Sequence, residues 1–297
     1  MTWQAVARKD FQDAVRSRWL WVLSVLAILL FAGSAVARLY FGGGNVEQAQ
    51  GVLRSFLFFL KQGTAIVIPL TAIVVAYASL TRERESGTMK LLLALPHSRD
   101  DVVVGKLVGR SAVVALPILV GFLVALLALI PSTSAIDLLV YFEFALLTAL
   151  LGVVFVGIAI GVSAAVQTNQ QAIVGAGGLF AFFWFIWNFF VSGVTRALTE
   201  VFTMSATTEY QIRLTLKLLN PIQAYKTLVD GLFMSDLQAR IGMFRTLFGF
   251  IPNPQAQRAL GQELSPVFTD PFVLLFLVGW LVVPVAVGIV WFRDKDL

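Results

Sequence analysis

Residues 138–166 read LLVYFEFALLTALLGVVFVGIAIGVSAAV, an apolar run with one charged side chain, Glu143. About 20 consecutive apolar residues, wound as a helix, cross the roughly 30 Å hydrocarbon core of a bilayer. A strand of a membrane barrel would alternate apolar and polar residues over about ten positions, and this run does not alternate. It reads as a membrane-spanning helix. Five further stretches read the same way, at 19–37, 56–80, 111–130, 172–194 and 272–292. Pro69, Pro117 and Pro284 fall inside them, which a bilayer tolerates because neighbouring helices re-satisfy the freed backbone groups. The expectation is an all-α polytopic membrane protein with six transmembrane helices.

The whole chain agrees with that reading. Of its 297 residues 58% are apolar and 13% charged, where a soluble domain carries roughly a quarter charged. Mean hydropathy is +0.85. The first apolar stretch is long for a signal-peptide core and no small-residue cleavage site follows Val36-Ala37-Arg38, so it reads as a retained first helix.

Several chemistries are excluded. There is no cysteine, hence no disulfide, thiolate zinc site or cysteine nucleophile. His97 is the only histidine, so a His-Glu-x-x-His zinc site cannot be built. Beside Pro96 in a charged loop it reads as a surface residue. No Gly-x-Ser-x-Gly nucleophile elbow occurs. The one Gly-Lys pair, Gly105-Lys106, is followed by Leu107 and lacks the upstream glycine of a phosphate-cradling Walker A loop. The chain is read as a non-enzyme with no catalytic, cofactor-binding or metal-binding residues.

Basic residues set the orientation. Arg8, Lys9, Arg16 and Arg18 precede the first stretch; Arg82, Arg84, Lys90, Arg99, Lys106 and Arg110 fill the second loop; Arg293 and Lys295 end the chain. The first loop holds Arg38 and Arg54, with Lys61 near the start of the next stretch, and the third and fourth loops hold none. By the positive-inside rule both termini are cytoplasmic, N-in and C-in; the long fifth loop, 195–271, is extracellular, and long loops escape the rule. The bases are spread over several loops and mixed with acids, so nucleic acid is not the expected partner.

Residues 1–18 read as an interfacial amphipathic helix, with Trp3, Val6, Ala7, Phe11, Ala14 and Val15 on one side and Arg8, Lys9, Gln12, Asp13 and Arg16 on the other. Residues 19–297 form the transmembrane domain, with a cytoplasmic loop over 81–110. That loop opens with a charge cluster, Arg82–Glu85, broken by Ser86-Gly87; a short apolar run, Met89–Leu95, is stopped by Pro96. Ser98 is placed to cap a new helix, with Asp100 and Asp101 in the first turn. In 195–271, Asn220-Pro221 followed by Ile222, Tyr225, Leu228, Val229, Leu232 and Phe233 at helical spacing predicts one or two amphipathic helices rather than a separate globular domain.

The loop Arg82-Glu83-Arg84-Glu85-Ser86-Gly87-Thr88, with Leu91-Leu92-Leu93, Pro96, Ser98-Arg99 and Gly105-Lys106, resembles the segment after the second span in ABC-2 type permeases, the membrane subunits of ATP-binding-cassette transporters. The segment ending Arg16-Ser17-Arg18-Trp19 resembles the family's elbow helix. Asn220-Pro221 with Ala224-Tyr225 resembles an element before its last span, and Phe292–Leu297 resembles its short tail, though less basic. The nearest subfamily resembles the NosY-type permeases, linked to copper-enzyme maturation. The resemblance implies a type V exporter-like architecture in the plasma membrane and pairing with a second permease subunit, as a homo- or heterodimer. It also implies a separate ABC ATPase subunit that holds ATP and Mg. The coupling helix would carry Gly87, Thr88, Lys90, Leu91 and Leu92 from near Glu85, with Glu83 and Arg84 at the membrane edge.

Three features stay open on sequence alone. Glu143 lies about five residues into its helix, where a transport role and a snorkelled or interfacial hydrogen bond both fit. Asn188, near Trp184 and Trp187, lines a path or bonds across helices. Gly157, Gly161 and Ala165 form a small-residue face, as do Ala72 and Ala76, suited to contact within the subunit or with a second one. A self-sufficient secondary transporter or channel is the alternative function; it would be expected to show inverted repeats and several mid-membrane charges, which the sequence does not display. A membrane-embedded enzyme lacks residues to run it. Nothing in the spans selects a substrate.

Overall fold

A computed structural model describes residues 3–16, 22, 25, 26, 28, 29, 31, 33, 46–88, 98–129, 137–244, 254–261 and 265–293. Among these residues every regular element is helical. Five helices are long and apolar enough to cross a membrane: Leu60–Glu85, Arg99–Leu127, Leu138–Ala165, Asn169–Val201 and Asp270–Arg293. Most of 19–37 lies outside the described residues; its described positions are helical, and Phe31 is buried with its ring 4.2 Å from that of Phe122. The chain forms two compact units, Met1–Gly178 with Leu281–Leu297, and Leu179–Trp280.

In the first unit α1 (Trp3–Val15) packs against α4 (Arg99–Leu129). Val6, Ala7 and Ala14 are buried, so the apolar face that the sequence assigns to lipid lies largely on α4. Two glycines make the approach possible. A Cβ at Gly105 would stand 2.6 Å from Val6 Cβ, and one at Gly109 2.9 Å from the Ala7 carbonyl oxygen. The charged start of α4 belongs to the same helix as the span at 111–130, because Ser98 and Asp101 close a reciprocal cap. The Asp101 N–H donates to Ser98 Oγ at 3.0 Å and the Ser98 N–H to Asp101 Oδ2 at 3.2 Å. Such caps satisfy amide donors that a helix start leaves unpaired.

α2 (Val46–Ala76) and α3 (Thr81–Glu85) form the second span and its polar end. α5 (Leu138–Ala165), capped by Asp137, is the buried centre of this unit and packs against both α2 and α4. Its glycine face meets the end of α12 (Asp270–Arg293). A Cβ on Gly157 would fall 2.6 Å from Leu281 Cδ1, one on Gly161 2.6 Å from the Pro284 carbonyl carbon, and one on Gly288 2.8 Å from the Gly161 carbonyl oxygen. Gly157 and Gly161 on α5 therefore make contact within the chain, and Ala164 lies beside Gly288.

The long apolar helix Asn169–Val201 comprises α6 (Asn169–Ala181), a π-helical turn (Phe182–Ile186) and α7 (Trp187–Val201). The second unit takes its last part and adds α8 (Ala206–Leu218), α9 (Pro221–Gly231), α10 (Asp236–Gly242) and α11 (Pro254–Leu260). The segment 195–271 thus holds more helices than its apolar spacing alone predicts. Side-chain caps at Ser205, Asn220 and Ser235 start α8, α9 and α10. Asn220 is fully buried; its Nδ2 donates to the Phe183 carbonyl in the π turn at 2.8 Å while its Oδ1 accepts from the Ile222 N–H at 2.9 Å. Arg240 is also fully buried, donating to the Phe268 carbonyl at 2.9 Å, to Thr227 Oγ1 at 2.8 Å and to the Asp270 carboxylate.

Candidate functional site

The site is the polar end of the first unit, built around α3. This helix is only one turn long and ends where Ser86 donates back to the Arg82 carbonyl and Gly87, at φ +72°, to that of Arg84. Its side chains reach the turn between α5 and α6. Ser163 Oγ accepts from the N–H groups of Leu80 and Thr81 at 3.2 and 3.3 Å. Thr81 Oγ1 donates to Asn169 Oδ1 at 2.7 Å, and the Glu85 carboxylate accepts from the Asn169 N–H at 2.8 Å and from its side-chain amide. Arg84 donates to the carbonyls of Ala164, at 3.0 Å, and Val166, and its guanidinium stands 4.7 Å from the Phe292 ring centre. Carbonyls at the end of a helix carry partial negative charge, so the arginine is well placed electrostatically.

On another side of α3 lies a buried ionic group. Lys106, 3% exposed, donates to Glu83 Oε1 at 2.7 Å and stands 3.8 Å from Asp10, which is 7% exposed. Arg110 donates to Asp10 Oδ1 at 3.0 Å, with its Nε 2.8 Å from Oδ2, and donates to the Val75 carbonyl at 3.0 Å. Two carboxylates and two cations balance one another, the condition under which buried charge is tolerated. The group ties α1, the end of the second span and the start of α4 into one body.

A third tie joins the start of α4 to the end of α12. Arg99 donates to the carbonyls of Phe292 and Arg293 at 2.8 and 2.9 Å, and Arg293 Nε donates to Asp100 Oδ1 at 2.8 Å. Movement of α3 would therefore reach every described span of this unit through directional bonds.

Of the residues proposed from sequence, Glu83 and Arg84 are half-buried and bonded inward; Glu85 is exposed yet bonded to Asn169; Gly87 and Thr88 are exposed. Lys90, Leu91 and Leu92 lie outside the described residues. Glu143 is half-buried on the second turn of α5. Asn188 is exposed, its Oδ1 accepting from Lys217 at 3.3 Å and Gln223 at 3.2 Å, which makes it a bond between helices of the second unit. Sequence reading missed Asp10, Ser163 and Asn169. Asp10 carries a local signal: it follows Val6 and Ala7 by four and three residues and precedes Ala14 by four, so it lies on the apolar face of α1. Ser163 and Asn169 carry none, since they meet partners more than eighty residues away.

The model of a family described as ABC-2 family transporter protein matches residues 4–297. A relative from Pseudomonas aeruginosa, named probable ABC transporter permease protein NosY, is 34% identical over 230 residues, covering 74% of this chain and 78% of its own length. A relative of the same name from Stutzerimonas stutzeri is 32% identical over 189 residues, covering 61% of this chain and 64% of its own.

Proposed function

We propose that this chain, which belongs to the ABC-2 family of transporter proteins, exports its cargo by coupling to ATP hydrolysis on a separate ATPase subunit. That it is a multi-pass transporter membrane subunit follows from the family and the five apolar helices. The proposal adds a sixth span over 19–37, cytoplasmic termini, location in the plasma membrane, pairing with a second permease subunit, and an ATPase docked on the strip from Glu85 through Gly87, Thr88, Lys90, Leu91 and Leu92. The relatives' names, which include the words ABC transporter permease, support it.

The observation that carries the proposal is the division of labour on α3. Glu83 and Arg84 point into the chain, to Lys106 and to the carbonyls of Ala164 and Val166, while Ser86, Gly87 and Thr88 are exposed. One end can be held by a partner while the other moves the spans. A ligand shifts a conformational equilibrium only through contacts that differ between the states, and the inward bonds of Glu83 and Arg84 are contacts that such a shift would change. The cargo is not specified by any apolar span.

The test is reconstitution with the companion ATPase. Leu91→Ala with Leu92→Ala is expected to leave hydrolysis running while transport stops. Full transport by this double variant, or transport by the chain without any ATPase, would overturn the proposal.

A further inference from the structure

Among the described residues of the second unit, one cation has no carboxylate beside it. Lys217, near the end of α8, is half-buried, and its ammonium donates to two neutral acceptors, Asn188 Oδ1 at 3.3 Å and the Met243 carbonyl at 2.9 Å. The Phe244 ring centre is 5.5 Å away. An ammonium has three N–H donors, so one remains. Arg213, one turn earlier on the same helix, has a single carboxylate, Glu209, at 3.6 Å, and its Nε is buried with no hydrogen-bond partner among the described residues. Among the described residues, two cations and two donors without a hydrogen-bond partner therefore lie on one face of α8 with one carboxylate. Buried charge is ordinarily paired, and Arg240 nearby in the sequence shows this unit pairing one fully.

We infer that Lys217 and Arg213 form a binding site for an oxyanion: a phosphate, sulfate or carboxylate group, carried either by a small cargo or by a lipid headgroup. The missing carboxylate is the ligand's to supply. Charge-assisted hydrogen bonds to an oxyanion are about twice as strong as neutral ones, and here they would replace a lone donor and an unbalanced charge. Burial, followed by the neighbouring Arg213, pushes the Lys217 ammonium down to about 8, as expected of a cation still lacking its partner. The site is independent of any companion ATPase.

Trp187 is a built-in reporter, because its indole N–H donates to the Leu216 carbonyl, adjacent to Lys217, at 3.0 Å. The purified chain in phosphatidylcholine nanodiscs is titrated with sodium sulfate at constant ionic strength while tryptophan fluorescence is followed. A saturable response is expected, weakened roughly tenfold or more in Lys217→Gln, the loss of one charge-assisted bond. Asn188→Asp keeps Lys217 but places a carboxylate where its acceptor now stands. It is expected to abolish sulfate binding without loss of thermal stability, an outcome that misfolding cannot mimic. Glu263→Gln, which removes the only carboxylate of this unit outside the described residues, is expected to leave binding unchanged. In nanodiscs containing phosphatidylglycerol, a weakened apparent sulfate affinity assigns the site to a headgroup, and an unchanged affinity assigns it to a free anion. Sulfate binding by Lys217→Gln and Asn188→Asp equal to that of the native chain would overturn the site. So would tighter binding by Glu263→Gln, or no saturable response in either lipid.

Discussion

The Lys106 ammonium donates to Glu83 Oε1 at 2.7 Å, with the lysine side chain 4% exposed and the glutamate 25%. Lys106 also faces Asp10, so its removal leaves Glu83 without its cation and Asp10 with Arg110 alone. Breaking a buried ion pair from one side costs about 3–5 kcal/mol. Lys106→Met is therefore expected to lower the thermal midpoint of the purified chain sharply. Glu83→Gln is expected to cost less, because Asp10 remains as a partner. The double variant should cost less than the sum of the two, and strict additivity in such a cycle would show that the pair is not coupled.

Gly87 closes α3 at φ +72°, and a Cβ there would meet nothing within 4 Å. The constraint is therefore backbone conformation alone. A residue with a Cβ is disfavoured there by about 1 kcal/mol, whereas asparagine tolerates the left-handed region. Gly87→Val is expected to impair coupling between hydrolysis and transport, and Gly87→Asn to restore most of it. Equal activity of Gly87→Val and the native chain would place no demand on this turn.

The spans were legible because a run such as 138–166 has one physical explanation. The capped start of α4 at Ser98 and the α9 start at Asn220 were legible because caps are local. Asp10 was visible in principle, as an acid on an apolar helix face, but its meaning depends on Arg110, a hundred residues on. The binding of α3 to Ser163 and Asn169 was not visible, since nothing near either residue marks its partner. The segment 195–271 reads as a loop with one or two helices because apolar residues recur at helical spacing after Asn220-Pro221, whereas α8 and α10 are set by caps at Ser205 and Ser235 and by the buried Arg240.

Gly161 stands against the α12 backbone, where a Cβ would meet the Pro284 carbonyl carbon at 2.6 Å. Backbone cannot move aside as a flexible side chain can. Gly161→Ala is expected to destabilise the chain by about 1–3 kcal/mol through overpacking. Gly177→Ala, with nothing within 4 Å of its Cβ, is expected to be neutral or mildly stabilising. Thermal melts at increasing dilution separate the two possible roles of this face. A cost independent of protein concentration places the contact within the chain, and a cost that vanishes on dilution would assign it to a dimer.

Lys217 gives a pH dependence whose sign can be worked out. Its folded-state value is about 8, against 10.5 when unperturbed, so between these limits the unfolded chain holds a proton that the folded chain has lost. Stability rises with pH wherever the unfolded state binds more protons. Below about 8 the folded state carries the full penalty of a desolvated ammonium, and the penalty is relieved as pH climbs toward 10.5. Glu209 and Arg213 on α8 and Lys226 and Asp230 on α9 are common to the native chain and Lys217→Met, so the difference between the two isolates the lysine. Lys217→Met is expected to be the more stable at neutral pH, with the gap closing as pH approaches 10. Sulfate is expected to close the same gap at neutral pH, because an anion bound to the native chain pairs the charge that the variant lacks. A gap of the opposite sign, unchanged by pH and by sulfate, would mean that Lys217 is held by its two neutral acceptors alone.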